Sequence, residues 1–340
     1  MKFLCTYFSA NRFPPMMLIG CSAVLLIIMC TLSISIGTRV VAWQDIINGL
    51  MGSVATMEEA SVAMRLPRTL LALLAGSALG ISGAIMQSVT RNPLADPGLL
   101  GVNIGASFFV VIGLVWFGLS QMSHYVWLAI FGAATTALFV HVISAIGHDG
   151  ATPLKFALAG AATSIAISSF IMAVVLPRND IAGSVQSWQI GGVGGATYGS
   201  ITLILPFLLI GGLLSLTVAR KLNTIALGDD VAMGLGESVT RIRIHAWLAA
   251  VLLAGATTAA CGPIGFVGLV VPHLCRLLVG IDNRWLMTLS ALCGANLLLA
   301  ADVLGRILAR PSELSVGIVT AFIGAPFFIW IVRRQKVKAL

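Results

Sequence analysis

The sequence predicts an all-α, polytopic membrane protein of about ten spanning helices, and three observations support this. Of its 340 residues, 58% are apolar and only 9% charged, with a mean hydropathy of +1.01; a soluble domain carries roughly 25% charged residues. Apolar runs of about 20 residues, the length that crosses a bilayer as a helix, recur along the chain. The basic residues fall mainly between those runs. This composition excludes a water-soluble enzyme, a disulfide-stapled secreted domain and a disordered tail. Residues 1–340 read as one membrane-embedded domain in contact with lipid.

Taken in order, the runs lie near 16–36, 69–88, 99–118, 126–146, 154–176, 200–218, 244–261, 264–280, 285–302 and 314–332. The first has no small-residue cleavage site after it and nine more runs follow, so it reads as a span and not as a signal peptide. Gly262 and Pro263 alone separate the seventh from the eighth. Both ends are basic (Lys2 and Arg12; Arg333, Arg334, Lys336 and Lys338). The positive-inside rule then places both termini in the cytoplasm, which requires an even number of spans. Threading ten spans leaves 14 Lys and Arg inside and six outside: Arg39, Arg65, Arg68, Arg178, Arg306 and Arg310.

The connectors differ in character. Residues 1–13 read as a cytoplasmic tail. The external connector 37–68 holds a helix-like stretch over 43–51, and the Gly-rich connector 177–199, also external, has room for a short re-entrant helix. Residues 219–243, inside, are the most polar segment of the chain.

Several chemistries are missing. The net charge of +8 would suggest nucleic acid in a soluble protein, but here the basic residues bias topology, and no nucleic-acid partner is expected. No Gly-Lys pair occurs, so no P-loop can cradle a nucleotide. There is no H-E-x-x-H, the five histidines share no ligand spacing, and the six cysteines are scattered through apolar runs without C-x-x-C. Proton-coupled carriers and intramembrane proteases hold ionisable groups near the midplane, and these spans are nearly free of them. The chain is therefore expected to bind no metal or cofactor, to catalyse nothing, and to draw its energy from another protein.

Four stretches carry information. The first runs from Arg65-Leu66-Pro67-Arg68 through Gly76 and Gln87 to Arg91-Asn92-Pro93-Leu94-Ala95-Asp96-Pro97-Gly98. The second, over 262–273, includes Gly262-Pro263 and Pro272-His273. The third runs from Asp302 through Arg306 to Glu313-Leu314 and Gly324-Ala325-Pro326-Phe327. The fourth is the cytoplasmic segment Leu222-Asn223 through Leu227-Gly228-Asp229-Asp230-Val231-Ala232 to Leu235-Gly236.

Read physically, Pro67 suits the first turn of the second span, with Leu66 extended before it. Arg65 and Arg68 would then crowd the positive end of a helix on the outer face, where the dipole disfavours them. A snorkelling anchor is one explanation. For Arg306, an i,i+4 pair with Asp302 is another. Pro93 and Pro97 fix a tight turn. Gly228, Gly234 and Gly236 bracket two brief helices, with Asp229 and Asp230 in a first turn. Pro272 should kink the eighth span, and 262–273 reads as packing.

Together the four stretches resemble the permease subunits of iron–siderophore and vitamin B12 (FecCD-type) ABC importers, in the same order and spacing from about residue 60 to 332. The resemblance implies a multi-pass permease of the bacterial cytoplasmic membrane. It pairs with a second permease subunit, a copy or a paralogue. Two ATPase subunits, which bind ATP and Mg, lie beneath, and an extracytoplasmic substrate-binding protein lies above. It further implies that Arg65, Arg68 and Arg306 receive acidic residues of the binding protein. Asn92 and Leu94, about Pro93, would close the cytoplasmic end of the pathway. Thr163 and Ser164, in the connector before the fifth span, would belong to the other gate element. Leu227, Gly228, Asp229, Asp230, Val231, Ala232, Leu235 and Gly236 would fit a cleft on the ATPase. The run from Asn92 resembles siderophore members most, so a ferric siderophore is the expected cargo. Vitamin B12 or haem through the same architecture is the alternative, and an ion-coupled secondary transporter the remote one.

Overall fold

The computed structural model describes residues 14–37, 41–119, 121–146 and 153–334, and among these every regular element is a helix. The expected cytoplasmic tail 1–13 lies outside the described residues, as do Arg39, Lys336 and Lys338. In chain order the helices are α1 (Pro15–Ser35), α2 (Trp43–Leu50), α3 (Met57–Val89), α4 (Val102–Phe117), α5 (Met122–Ala145), α6 (Pro153–Val175) and α7 (Asn179–Ile190). Then follow α8 (Tyr198–Ile225), α9 (Asp229–Gly234), α10 (Val239–Cys261), α11 (Val267–Val279), α12 (Asn283–Leu308) and α13 (Val316–Arg334). Seven helices are long and apolar enough to cross a membrane: α1, α3, α5, α6, α8, α10 and α12. The shorter apolar helices α4, α11 and α13 coincide with the other three expected runs.

The central element is α3. It packs against α12, α10, α11 and α8, and its residues Leu71, Ala72, Ala75, Leu79, Ala84, Ile85 and Met86 are buried. Close approach is possible because one face carries Gly76, Gly80 and Gly83. A β-carbon at Gly80 would sit 2.1 Å from the Ser290 carbonyl oxygen of α12, and one at Gly83 only 1.9 Å from that of Gly268 in α11. Backbones meeting this tightly gain dispersion contact where no hydrophobic force acts between helices. In contrast, α1 is largely exposed; one side of it, including Leu18, Leu26 and Met29, packs on the core, and polar ties add to this: Asn296 Nδ2 donates to the Ser22 carbonyl at 3.0 Å, and the hydroxyls of Ser33 and Thr69 share a 2.8 Å hydrogen bond.

Three sequence expectations need correction. The second span does not begin at 69. Thr56 caps α3 by accepting from the Glu59 N–H at 3.2 Å. The buried Glu59 carboxylate accepts from Ser53 Oγ (2.6 Å), Ala55 N–H (2.9 Å) and Asn48 Nδ2 (3.0 Å), which also pins α2 to the helix start. A good cap contributes about 1 kcal/mol. Helix therefore extends outward past Pro67, which is interior, and Leu66 is helical, not extended.

The connector 219–243 shrinks from the other direction, because α8 runs on to Ile225 and α10 begins at Val239. Only one six-residue helix, α9, lies between them, not two. Finally, Thr163 and Ser164 are not in a connector. Helix α6 starts at Pro153 and already contains them, half-buried. The expected helices over 43–51 and within 177–199 are present as α2 and α7. Pro272 lies inside α11, as expected.

Candidate functional site

The packing of α3 on α12 gathers the arginines at 65, 68 and 306 into one cluster. Helix α1 ends nearby with no basic residue in its last turn, and the final carbonyls of a helix have no partner of their own. Arg306 Nη1 donates to the carbonyls of Ser33 (2.8 Å) and Ile36 (2.9 Å). Arg65 Nη1 donates to those of Ile34 and Ser35, both at 3.0 Å. Two arginines from other helices thus cap α1, where the dipole favours positive charge. Arg310 Nη2 adds a bond to the Gly37 carbonyl at 2.7 Å.

Asp302 lies at the centre, with no exposed surface. One oxygen accepts from Arg68 Nη2 at 2.7 Å and Nε at 2.9 Å; the other accepts from Arg306 Nη2 at 2.6 Å. The i,i+4 pair of Asp302 and Arg306 is therefore real. Arg65 and Arg306 are only 5% and 1% exposed. Arg68 extends outward, and its Nη1 donates to Glu313 at 2.6 Å; these side chains are 12% and 39% exposed. Four guanidiniums against two carboxylates leave a formal excess of two positive charges.

At the other end of α3, the chain turns sharply. Thr90 closes the helix by donating from Oγ1 to the Met86 carbonyl at 2.7 Å. Arg91 follows with φ +50°, a left-handed conformation rare for a residue with a β-carbon. Asn92 Oδ1 then accepts from the Leu94 N–H at 3.0 Å across Pro93, and Asp96 Oδ2 accepts from the Gly98 N–H at 2.9 Å across Pro97. Two successive side-chain turns, each around a proline, make this segment stiff. It continues into a single 3-10 turn, Gly98–Leu100, against which α6 packs. Asn92, Pro93 and Leu94 are half-buried.

Between α8 and α10, Gly228 adopts φ +123° and ψ +149°, a conformation open essentially to glycine alone. It reverses the chain so that Asp229 and Asp230 begin α9, where carboxylates suit the helix dipole. Ala232 is buried beneath α9, whereas Leu227, Val231, Met233 and Leu235 are exposed. Gly236 (φ +82°) ends the helix, with the Glu237 N–H bonded back to the Ala232 carbonyl at 3.0 Å. The result is a small protruding knob with an apolar surface.

A cavity of about 500 Å³ opens between the stiff turn and the end of α7, lined by Asp96, Asn103, Ser107, Gln189, Phe266 and Phe328 among others. Sequence reading did not find it, because its walls come from five separate segments. Nor did it foresee that Arg68 reaches Asp302 and Glu313, or that Arg91 and Arg243 both reach Asp229. Of the ion pairs, the one legible in the sequence was the i,i+4 pair of Asp302 and Arg306. Among the described residues no group of three His, Cys, Asp or Glu side chains could hold a metal ion.

The FecCD transport family matches this chain over residues 25–334. The ferric enterobactin transport system permease protein FepD of Escherichia coli is 40% identical over 312 residues, covering 92% of this chain and 93% of its own. The hemin transport system permease protein HmuU of Yersinia pestis is 37% identical over 336 residues, covering 96% and 98%. A solved structure described as an inward-facing metal-chelate type ABC transporter has a TM-score of 0.78 at 27% identity, covering 95% of this chain and 100% of that one.

Proposed function

The chain belongs to the FecCD transport family, and on that premise we propose that it is the permease subunit of a binding-protein-dependent ABC importer carrying a ferric siderophore into the cytoplasm. The observation that carries this reading is the match to a ferric enterobactin permease at 40% identity over 92% of this chain. Haem is the second reading, favoured by the match to a hemin permease at 37%. Deletion of the gene, followed by growth on each iron source in turn, tests the choice. Loss of growth on ferric siderophores with growth on haem retained supports the first reading, and the reverse result supports the second.

In this reading the chain spans the cytoplasmic membrane many times with both termini inside, and pairs with a second permease subunit, a copy or a paralogue. ATP and Mg are bound and ATP is hydrolysed in two partner ATPase subunits; the permease itself carries out no chemistry. The knob at α9 has the size and exposed apolar residues of a part that seats in a cleft. Leu227, Val231 and Leu235 would supply its contacts, Ala232 its buried base, and Gly228, Asp229, Asp230 and Gly236 its shape. Asn92, Pro93 and Leu94 would form one side of the cytoplasmic gate, with Thr163 and Ser164 on α6 as a second element. Movement of the ATPase pair would rock the permease halves and switch access to the pathway.

Docking of the binding protein would fall to the outer arginine cluster. Its excess positive charge suits acidic lobes, and of the three expected docking arginines Arg68 is the most exposed. Arg65 and Arg306 would act from beneath, fixing the ends of α1, α3 and α12 that form this face.

A further inference from the structure

We propose that Arg91 is a positioning residue that links the α9 knob to the gate turn, so that displacement of one is delivered to the other. This rests on the reading of α9 as the ATPase contact and of Asn92, Pro93 and Leu94 as a gate. Two observations converge on Arg91, the conformation of its backbone and the partners of its side chain.

Its backbone is the pivot from which the turn leaves α3. With φ +50° it ends the helix in a left-handed step, and Asn92 follows directly. Its side chain, however, belongs to a different element. Arg91 Nη2 donates both to the carbonyl of Ile225, the last residue of α8, and to Asp229 Oδ1, the first residue of α9, at 2.6 Å in the latter case. Gly228 lies between those two acceptors in its glycine-only conformation. A single guanidinium therefore grips both sides of the hinge on which α9 turns. A third tie comes from Arg243 in the first turns of α10, whose Nη2 lies 2.9 Å from Asp229 Oδ2 and 3.2 Å from Oδ1.

The geometry makes this a transmission joint more than a structural rivet. Ile225 and Ala232 are wholly buried and fix the base of the hinge, while the tip of α9 projects with Val231 and Met233 exposed. A push on the tip tilts α9 about Gly228 and moves Asp229. The Asp229 carboxylate pulls on a side chain whose own backbone begins the gate turn. That turn is stiff, braced by Asn92 on Leu94 and by Asp96 on Gly98, so it moves as a piece. The Arg91 and Asp229 side chains are 42% and 38% exposed. Ion pairs this open to water contribute little to folding and can break and re-form as a moving joint requires.

The test uses the importer assembled in proteoliposomes with its ATPase, second permease subunit and binding protein. Uptake of labelled ferric chelate and ATP hydrolysis are measured for R91Q, D229N, R91Q/D229N and R243Q. A coupling of this kind is typically worth 5- to 150-fold, so R91Q and D229N are each expected to lower uptake per ATP hydrolysed by about tenfold or more. The double variant is expected to be no worse than either single one, because both remove the same link. R243Q, which holds Asp229 without touching the gate turn, is expected to leave the ratio near that of the unaltered protein.

The proposal is overturned if R91Q keeps the normal ratio, if the two single defects multiply in the double variant, or if R243Q reproduces the defect. It is also overturned if D229N releases the ATPase, since Asp229 would then serve docking alone. In each of these cases the unaltered complex still carries iron chelate with ATP. Failure of that complex to do so would instead overturn the transport reading.

Discussion

Asp302 and Arg68, 234 positions apart in the chain, form a forked ion pair between α12 and α3, with Nη2 and Nε at 2.7 and 2.9 Å from one carboxylate oxygen. Because the other oxygen holds Arg306, one buried acid bonds two arginines and ties α3 to α12, with Arg306 reaching on to the end of α1. A charge placed where membrane topology disfavours it is tolerated when it is paired and its donors are satisfied.

Removing the acid should therefore cost far more than removing its exposed neighbour. D302N leaves Arg306 buried without a counter-charge and is expected to destabilise the fold by about 3–5 kcal/mol. E313Q, at a half-exposed site, is expected to cost less than about 1 kcal/mol. Thermal unfolding in detergent micelles compares the two.

Docking and stability should separate within the arginine cluster. R68Q is expected to weaken capture of the binding protein by about tenfold, corresponding to about 1.4 kcal/mol, and also to lower stability, because the buried Asp302 loses its forked partner. R65Q is expected to lower stability first, because the Ile34 and Ser35 carbonyls at the end of α1 lose their donor. Affinity for the immobilised binding protein, measured beside the unfolding temperature of each variant, shows whether the two effects part in this way.

Glycines should divide by what their β-carbons would meet. G83A forces a methyl group to within 1.9 Å of the Gly268 carbonyl oxygen and is expected to cost about 3 kcal/mol or more as helices are pushed apart. G212A, in α8 with nothing within 4 Å, is expected to be neutral or to stabilise by up to about 1 kcal/mol, since alanine is the better helix former. Unfolding curves of the two variants in one detergent would show opposite signs.

The hinge should be intolerant of any side chain. G228A places a β-carbon in a backbone region that costs about 1–3 kcal/mol outside glycine, although the nearest atom, Val231 Cγ2, is 3.9 Å away. The expected outcome is a redirected α9 and reduced co-purification of the ATPase, with the transmembrane core unaltered. Normal ATPase recovery would show that the strained conformation is not needed.

These sites show what the sequence could reveal. Runs of apolar residues found the seven long and three shorter apolar helices of the described residues, because length and composition suffice for a segment that must satisfy its backbone within itself. The knob at α9 was legible from glycines flanking paired aspartates, a local pattern. The start of α3 was not, because Glu59, Asn48 and Ser53 make a polar stretch look like loop when their side chains in fact cap and anchor a helix. Pro67 compounded this, since a proline inside a well-packed helix has the same sequence signature as one at its start. Thr163 and Ser164 lie inside the apolar run 154–176 that became α6, so that run, and not a connector, was the sequence signal for their place. The links of Arg68 with Asp302 and Arg91 with Asp229 join residues far apart in the chain, and no periodicity encodes such a pair.

The transport claim is tested most directly by reconstitution. The chain, assembled in proteoliposomes with its ATPase subunits, second permease and binding protein, is given radiolabelled ferric siderophore outside and ATP or a non-hydrolysable analogue at the cytoplasmic face. Accumulation that requires hydrolysable ATP and the binding protein, with no imposed ion gradient, is the expected result. Accumulation driven by an ion gradient in the absence of the ATPase would contradict it.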